Sequence, residues 1–145
     1  MLVEKLFDLI SVDEPNEDEI VKILNDDENK DVIKEVINTI PDNDLEESML
    51  MWAVWRLKKN VIIELLKLGV DYDYANNASE SASTYWNFEN DASEKEQILV
   101  GEIAEILDKA GVDLDADGMY SWSLVTKAHK YKLKKLISKL QELGY

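Results

Sequence analysis

The chain has 145 residues, an apolar fraction of 46%, no cysteine and a formal net charge of −15. That length is one domain's worth of chain, and the apolar content is too high for a disordered segment. The absence of cysteine excludes disulfides and thiolate metal sites and fits a reducing compartment. No run approaches the roughly 18 apolar residues a membrane span requires, and Met1-Leu2-Val3-Glu4-Lys5 lacks the basic start of a secretory signal, so a cytoplasmic protein without membrane attachment is expected.

The charge is unevenly placed. Residues 121–145 hold Lys127, Lys130, Lys132, Lys134, Lys135 and Lys139 against Glu142, a local excess of five positive charges. The first 120 residues therefore carry an excess of twenty negative ones. Such a surface repels nucleic acid and anionic lipid and steers basic partners toward it. Solubility alone is the plain alternative explanation.

In chain order, Leu2, Val3, Leu6, Phe7 and Ile10 have helical spacing, and Ser11 to Pro15 is a break. Asn16 or Asp18 is placed to cap a second helix that buries Ile20, Val21, Ile23 and Leu24. After a polar turn at 25–29, a third helix is predicted over 31–40, ended by Pro41, with a tail running to Asp44. Residues 45–73 read as a helix pair, the inner helix near Glu46–Leu57 and the outer near Val61–Leu68, turning at Lys58–Asn60. A polar loop over 71–83 follows, then a short helical piece around Thr84–Glu89. Ser93 with Glu96 three positions later forms a capping box that starts a long helix, and Gly111 stops it. The last pair is predicted over Trp122–Lys130 and Lys132–Leu143. No sustained two-residue alternation is recognised, so the expected class is all-α.

The helix endings recur. Lys67-Leu68-Gly69-Val70-Asp71-Tyr72-Asp73 returns as Lys109-Ala110-Gly111-Val112-Asp113-Leu114-Asp115, and Glu142-Leu143-Gly144-Tyr145 follows 33 residues after Gly111. Self-similarity at a fixed spacing signals a stacked-repeat architecture. The residues that carry a family resemblance are Ile62, Leu65, Leu66, Gly69, Asp71 and Asp73; then Ile103, Ile106, Leu107, Gly111, Asp113, Asp115 and Asp117-Gly118; then Ala128, Ile137, Leu140 and Gly144. Ala53 and Ala128 each precede their unit's glycine by 16 residues. In these features residues 45–145 resemble an ankyrin-repeat protein, with residues 1–44 as a divergent N-terminal repeat or cap. Gly69 to Gly111 is 42 residues, an insertion of about nine against the 33-residue period. The Thr-Pro-Leu-His-x-Ala signature and the Gly-His turn of that family are absent.

The resemblance implies one domain built as a stacked helix-turn-helix solenoid of about four units, non-enzymatic and without a cofactor, that binds a protein through loop tips and inner helices. The matching partner-binding candidates are Tyr72, Tyr74 and Asn76 in the first loop, Met119 and Tyr120 in the second, and Trp55, Trp86 and Phe88 on the inner helices. Tyr and Trp give large contact area at low entropic cost. Trp52 and Trp122 are expected in the core.

Nothing in the residues points to chemistry. Asp113-x-Asp115-x-Asp117-Gly118 opens like a calcium loop, but Leu124 stands where the bidentate glutamate belongs. His129, the single histidine, has no second ligand at helical spacing. The scattered carboxylates lack a cleft with split pKa values, and no glycine-rich phosphate loop or Gly-x-Ser-x-Gly turn is present. The expected function is a protein-binding module for a basic partner, with no nucleic-acid or membrane binding. It would act as an acidic antagonist, such as an immunity protein that blocks a nuclease toxin; the alternatives are a DNA-mimic inhibitor and a passive scaffold or oligomerisation domain. The sequence leaves the oligomeric state open.

Overall fold

The computed structural model describes residues 1–43 and 45–145; the Asp44 end of the proline-stopped tail lies outside them. Among the described residues there are eight α-helices and no strand. They are α1 Leu2–Ser11, α2 Glu17–Leu24, α3 Ile33–Ile37, α4 Met49–Trp55, α5 Lys59–Lys67, α6 Glu94–Ala110, α7 Leu124–Lys130 and α8 Lys134–Glu142. No helix is long and apolar enough to cross a membrane among these residues. Ala75 and Ser81 form one isolated antiparallel bridge.

The helices lie in two layers, an outer one of α2, α5, α6 and α8 and an inner one of α1, α4 and α7. α2 packs on α5, α5 on α6 and α6 on α8, while α1 packs on α4; α4 is paired with α5 and α7 with α8. The core between the layers is one cluster in which Leu6, Ile10, Ile20, Ile37, Leu50, Ile62, Leu65, Ile103, Leu107, Leu136 and Leu140 are fully or almost fully buried.

One turn geometry ends helix after helix. The Val70 N–H returns to the Leu65 carbonyl, Val112 to Leu107 and Tyr145 to Leu140, each at 3.0 Å. Gly69, Gly111 and Gly144 sit between with φ of 87°, 108° and 98°, where a glycine carries no Cβ penalty. The same bond closes the inner helices, Lys58 to Ala53 at 2.9 Å and Leu133 to Ala128 at 3.0 Å, with Leu57 and Lys132 at φ of 54° and 56°. α4 and α7 also start alike: the Ser48 and Ser123 hydroxyls accept the Met51 and Thr126 N–H groups. The remaining glycines have another role. Gly101 faces Lys139, whose Cγ would lie 3.0 Å from an added Cβ, and that small side lets α8 approach α6.

The outer helices borrow caps from their neighbours. α5 and α8 begin at Lys58 and Leu133, neither of which supplies a side-chain cap. Glu17 of α2 accepts the Asn60 N–H at 2.8 Å, and Gln97 of α6 accepts Lys135 and Leu136 at 3.1 and 3.3 Å. Asn16, at the start of α2, makes no cap bond. Its amide donates to the Leu9 carbonyl and its oxygen accepts from Lys58.

Two expectations are corrected. The third helix spans Ile33–Ile37 instead of 31–40, because Asn38 and Thr39 turn their side chains back onto the Lys34 and Glu35 carbonyls. Asn38 then accepts the Asp71 N–H at 2.7 Å, tying this end to the next loop. No helix forms over 84–89: Thr84 closes a turn, its N–H on the Ser81 carbonyl at 3.0 Å, and 85–89 are non-helical. Trp86 and Phe88 are buried while Asn87 and Glu89 are exposed, the period of a strand, in a run of β-branched and aromatic residues that favour extended backbone. This segment lies between α4 and α7 in the inner layer. Tyr85 meets Trp55 at a 48° tilt with ring centres 5.1 Å apart, and the Trp86 carbonyl accepts from Lys127 of α7 at 2.8 Å.

Lys58 fastens the first helices to the rest. Its side chain is almost wholly buried, and its ammonium donates to the Leu9 and Glu14 carbonyls, at 3.3 and 3.1 Å, and to Asn16. Desolvation pulls its pKa below the ordinary lysine value, with Glu17 and Asp13 opposing. Arg56 adds a bond to the Ser11 carbonyl at 2.6 Å. Lys58→Met keeps the stem but removes three hydrogen bonds and strands the Asn16 side-chain oxygen. The Leu9 and Glu14 carbonyls keep donors from Asn16, so unfolding in denaturant should lose about 2 kcal/mol. Amides of α1 and α2 should exchange faster than those of α6 in the same variant; equal protection throughout would show that Lys58 does not fasten them.

Candidate functional site

The inner layer opens into a cleft of about 310 Å³ lined by Trp55, Thr84, Tyr85, Trp86, Tyr120, Ser121, Trp122, Lys127 and Tyr131. α4 supplies Trp55, the non-helical segment supplies Tyr85 and the floor residue Trp86, and α7 with the loop before it supplies the far wall. On that wall Trp122 meets Tyr131 edge to face at 6.1 Å, and Tyr131 meets Phe88 at 6.3 Å. Rings at such separations hold one another in place, so both walls are preformed.

Two lysines sit among these rings. Lys127 lies 4.5 Å from the Phe88 ring centre and 5.8 Å from Tyr131, and Lys130 lies 5.5 Å from Trp122. Burial holds the Lys127 pKa below its ordinary value, with Glu89 opposing from farther off. Behind the near wall, burial, and then the neighbouring Glu47 carboxylate, push the Tyr85 hydroxyl far above the ordinary tyrosine range. Glu47 itself is 6% exposed, and its Oε2 meets no hydrogen-bond partner among the described residues.

Glu80 shapes the mouth. Buried to 6% exposure, it accepts the Tyr120 N–H at 2.7 Å and the Thr84 hydroxyl at 2.9 Å. Its carboxylate fills the space that a side chain at Gly118 would need. The loop carrying Met119 and Tyr120, which are 62% and 80% exposed, is thereby fixed beside the cleft.

Of the residues expected to meet a partner, Trp55, Trp86 and Tyr120 come together in the cleft, with Met119 adjacent. Trp86 and Phe88 are 3% and 5% exposed, so their rings serve as floor and packing, not as open surface. Tyr72, Tyr74 and Asn76 lie apart, along the loop edge. Tyr72 packs against the core with its hydroxyl near Gly111, and the Tyr74 hydroxyl donates to the Glu46 carbonyl at 2.9 Å. Asn76 accepts from Ala78 and Glu80 and organises its own turn. The tryptophans are also reassigned: Trp122 is 47% exposed and Trp52 is half-buried, whereas Trp86 is buried. Trp122, Lys127 and Tyr131 were missed as cleft residues, although Lys127 and Tyr131 stand four apart and so share one helical face.

The acidic loop edge is built from local turns. Asp71 accepts the Asp73 N–H and Asp113 accepts Asp115, both at 3.0 Å, and Asp117 accepts Ser123 at 2.7 Å. Leu124, where a calcium loop requires glutamate, is fully buried. Among the described residues no three His, Asp or Glu side chains converge on a metal position.

Glu80→Ala leaves the Tyr120 N–H without its acceptor and the Thr84 hydroxyl with only the Ser81 carbonyl at 3.2 Å, at a cost to stability of about 2 kcal/mol. Amide exchange should speed at Tyr120 while α1 is unaffected; an unchanged Tyr120 rate would mean that the loop is held by something else. No known protein family matches the chain, and no curated protein matches it in sequence.

Proposed function

We propose that the protein is a non-enzymatic protein-binding module of about four stacked, ankyrin-like helix pairs that engages one basic partner through its inner face. The aromatic cleft carries this reading. A soluble domain that leaves Trp122 and Tyr120 open beside Trp55, Tyr85 and Tyr131 has the anchors an interface uses, already held in position. The recurring caps and turns support the helix-pair part. Ser48 to Gly69 and Ser123 to Gly144 run in the same register, with Ala53 and Ala128 at equivalent places.

The charge supports the partner's sign. With −15 overall, and the positive excess confined to residues 121–145, the body attracts cationic proteins over distance, while the cleft supplies short-range contact. A stoichiometric antagonist in the cytoplasm, such as an immunity protein covering the cationic site of a nuclease toxin, is the version these features fit best.

The test is affinity capture from the source lysate at about 50 and about 500 mM salt, which shortens the Debye length roughly threefold. The wild type and a Tyr120→Ala/Trp122→Ala variant of unchanged circular dichroism are compared. One basic protein should be retained at low salt, released at high salt, and bound at least about tenfold more weakly by the variant. Capture indifferent to both salt and variant would leave a scaffold whose acidity serves solubility.

A further inference from the structure

Among the described residues Lys127 lacks an ion pair, as most lysines of the chain do, but unlike the buried Lys58, which donates three hydrogen bonds, it donates only one. The chain has 31 acidic residues against 16 lysines and arginines, yet this half-buried ammonium has no carboxylate within 4 Å among the described residues. Lys59 and Lys139 on the outer layer each find a glutamate, at 2.6 and 3.0 Å. An ammonium has three donors. One goes to the Trp86 carbonyl, and the environment otherwise offers the faces of Phe88 and Tyr131. A second cation, Lys130, stands over Trp122 at the far wall. The nearby buried carboxylate of Glu80 is engaged by Thr84 and Tyr120. Lys127 and Lys130 thus make a cationic spot among the rings of the far wall, with the buried Glu47 and Glu80 on the Tyr85 side, on an acidic body.

We propose that the cleft receives a partner carboxylate, from an Asp or Glu side chain flanked by an aromatic or large apolar residue, with the carboxylate meeting Lys127 and the apolar neighbour lying between the Trp55/Tyr85 and Trp122/Tyr131 walls. This rests on the inner-face cleft being the binding site. Charge complementarity selects the occupant. A carboxylate relieves a desolvated cation that the chain itself leaves unpaired, and charge-assisted bonds strengthen where water is excluded. A polyanion such as nucleic acid offers the same sign, but its length would carry it beyond the two lysines toward a body whose first 120 residues hold an excess of twenty negative charges. A single carboxylate avoids that repulsion. The partner is then basic over its surface and acidic at one anchor.

The experiment is an NMR titration of the full chain with three dipeptide probes, N-acetyl-Phe-Glu-amide, N-acetyl-Phe-Gln-amide and N-acetyl-Phe-Lys-amide, read at the indole N–H signals of Trp55 and Trp122. The Glu probe should bind about tenfold more tightly than its Gln isostere, and the Lys probe most weakly. Lys127→Met should erase the Glu preference, whereas Lys134→Met, an equal change of net charge on α8, should keep it. Gln binding as well as Glu, with the indoles still shifting, would overturn the carboxylate anchor and leave the cleft as a binding site. No indole shift with any probe would overturn both. A Glu preference that survives Lys127→Met would also overturn the proposal, as would stronger shifts with an oligothymidylate. The three-probe comparison needs no variant, so a Lys127→Met protein that fails to fold does not protect the idea.

Discussion

A backbone N–H that returns to the carbonyl five residues earlier, across one left-handed residue, sets the length of the helices and the direction of the chain between them. It occurs after α4, α5, α6, α7 and α8. The position is glycine in the outer turns and Leu57 or Lys132 in the inner ones, and after Gly69, Gly111, Leu57 and Lys132 alike the next residue, Val70, Val112, Lys58 or Leu133, is buried. The consequence is a set of seven- to nine-residue helices, α6 aside, too short to be stable alone in water. Each must be held by its neighbours. That explains why Glu17 and Gln97 reach across to cap α5 and α8, and why a lysine is buried to bind the loop between α1 and α2.

The same constraint explains which parts of the fold were legible. Glycine stops, serine caps and the Ala53/Ala128 pair are local devices whose residue types follow from backbone geometry, so they can be read without a structure. The Ser93 start and Gly111 stop of α6 are of this kind. Tyr85-Trp86-Asn87-Phe88 is not, because a short aromatic run fits either a helix turn or a strand. What decides is the slot between α4 and α7 and the bonds from Glu80, Lys127 and Ser83 that fix the segment in it. Long-range packing of that sort leaves only a two-residue alternation in the sequence, and here it covers just four positions.

The exchange of Trp86 and Trp122 has the same origin. Trp86 stands between Tyr85 and Asn87 and Trp122 between Ser121 and Ser123, and by size either would serve as core. Trp86 spends its indole N–H on the Ser83 carbonyl and becomes the floor. Trp122 stands one residue before the Ser123 cap, the place Glu47 occupies before Ser48, and there remains 47% exposed. Glu47 is buried near Tyr85; Trp122 borders the opening that Tyr85 and Trp55 line. The site thus forms where the non-helical segment departs from the regular helix pair. A helix in that slot would present other side chains and put backbone carbonyls along its own axis, leaving Lys127 nothing to hold.

The lysine therefore has two roles that need not compete. Its bond to Trp86 positions the segment, which uses one donor and keeps the ammonium inside the ring of aromatic faces. Cation–π contacts offset part of the desolvation of a positive charge but are weaker than an ion pair in the same place. The lowered pKa of Lys127 reflects that shortfall, since Glu89 acts only at a distance. A carboxylate arriving from a partner would remove the shortfall without displacing the Trp86 bond, so the group that organises the free cleft would also be the one that gains most when it is filled. Long-range attraction to the acidic body and short-range pairing with Lys127 then act on opposite charges of the same partner, and only a partner carrying both in the right places would benefit from both.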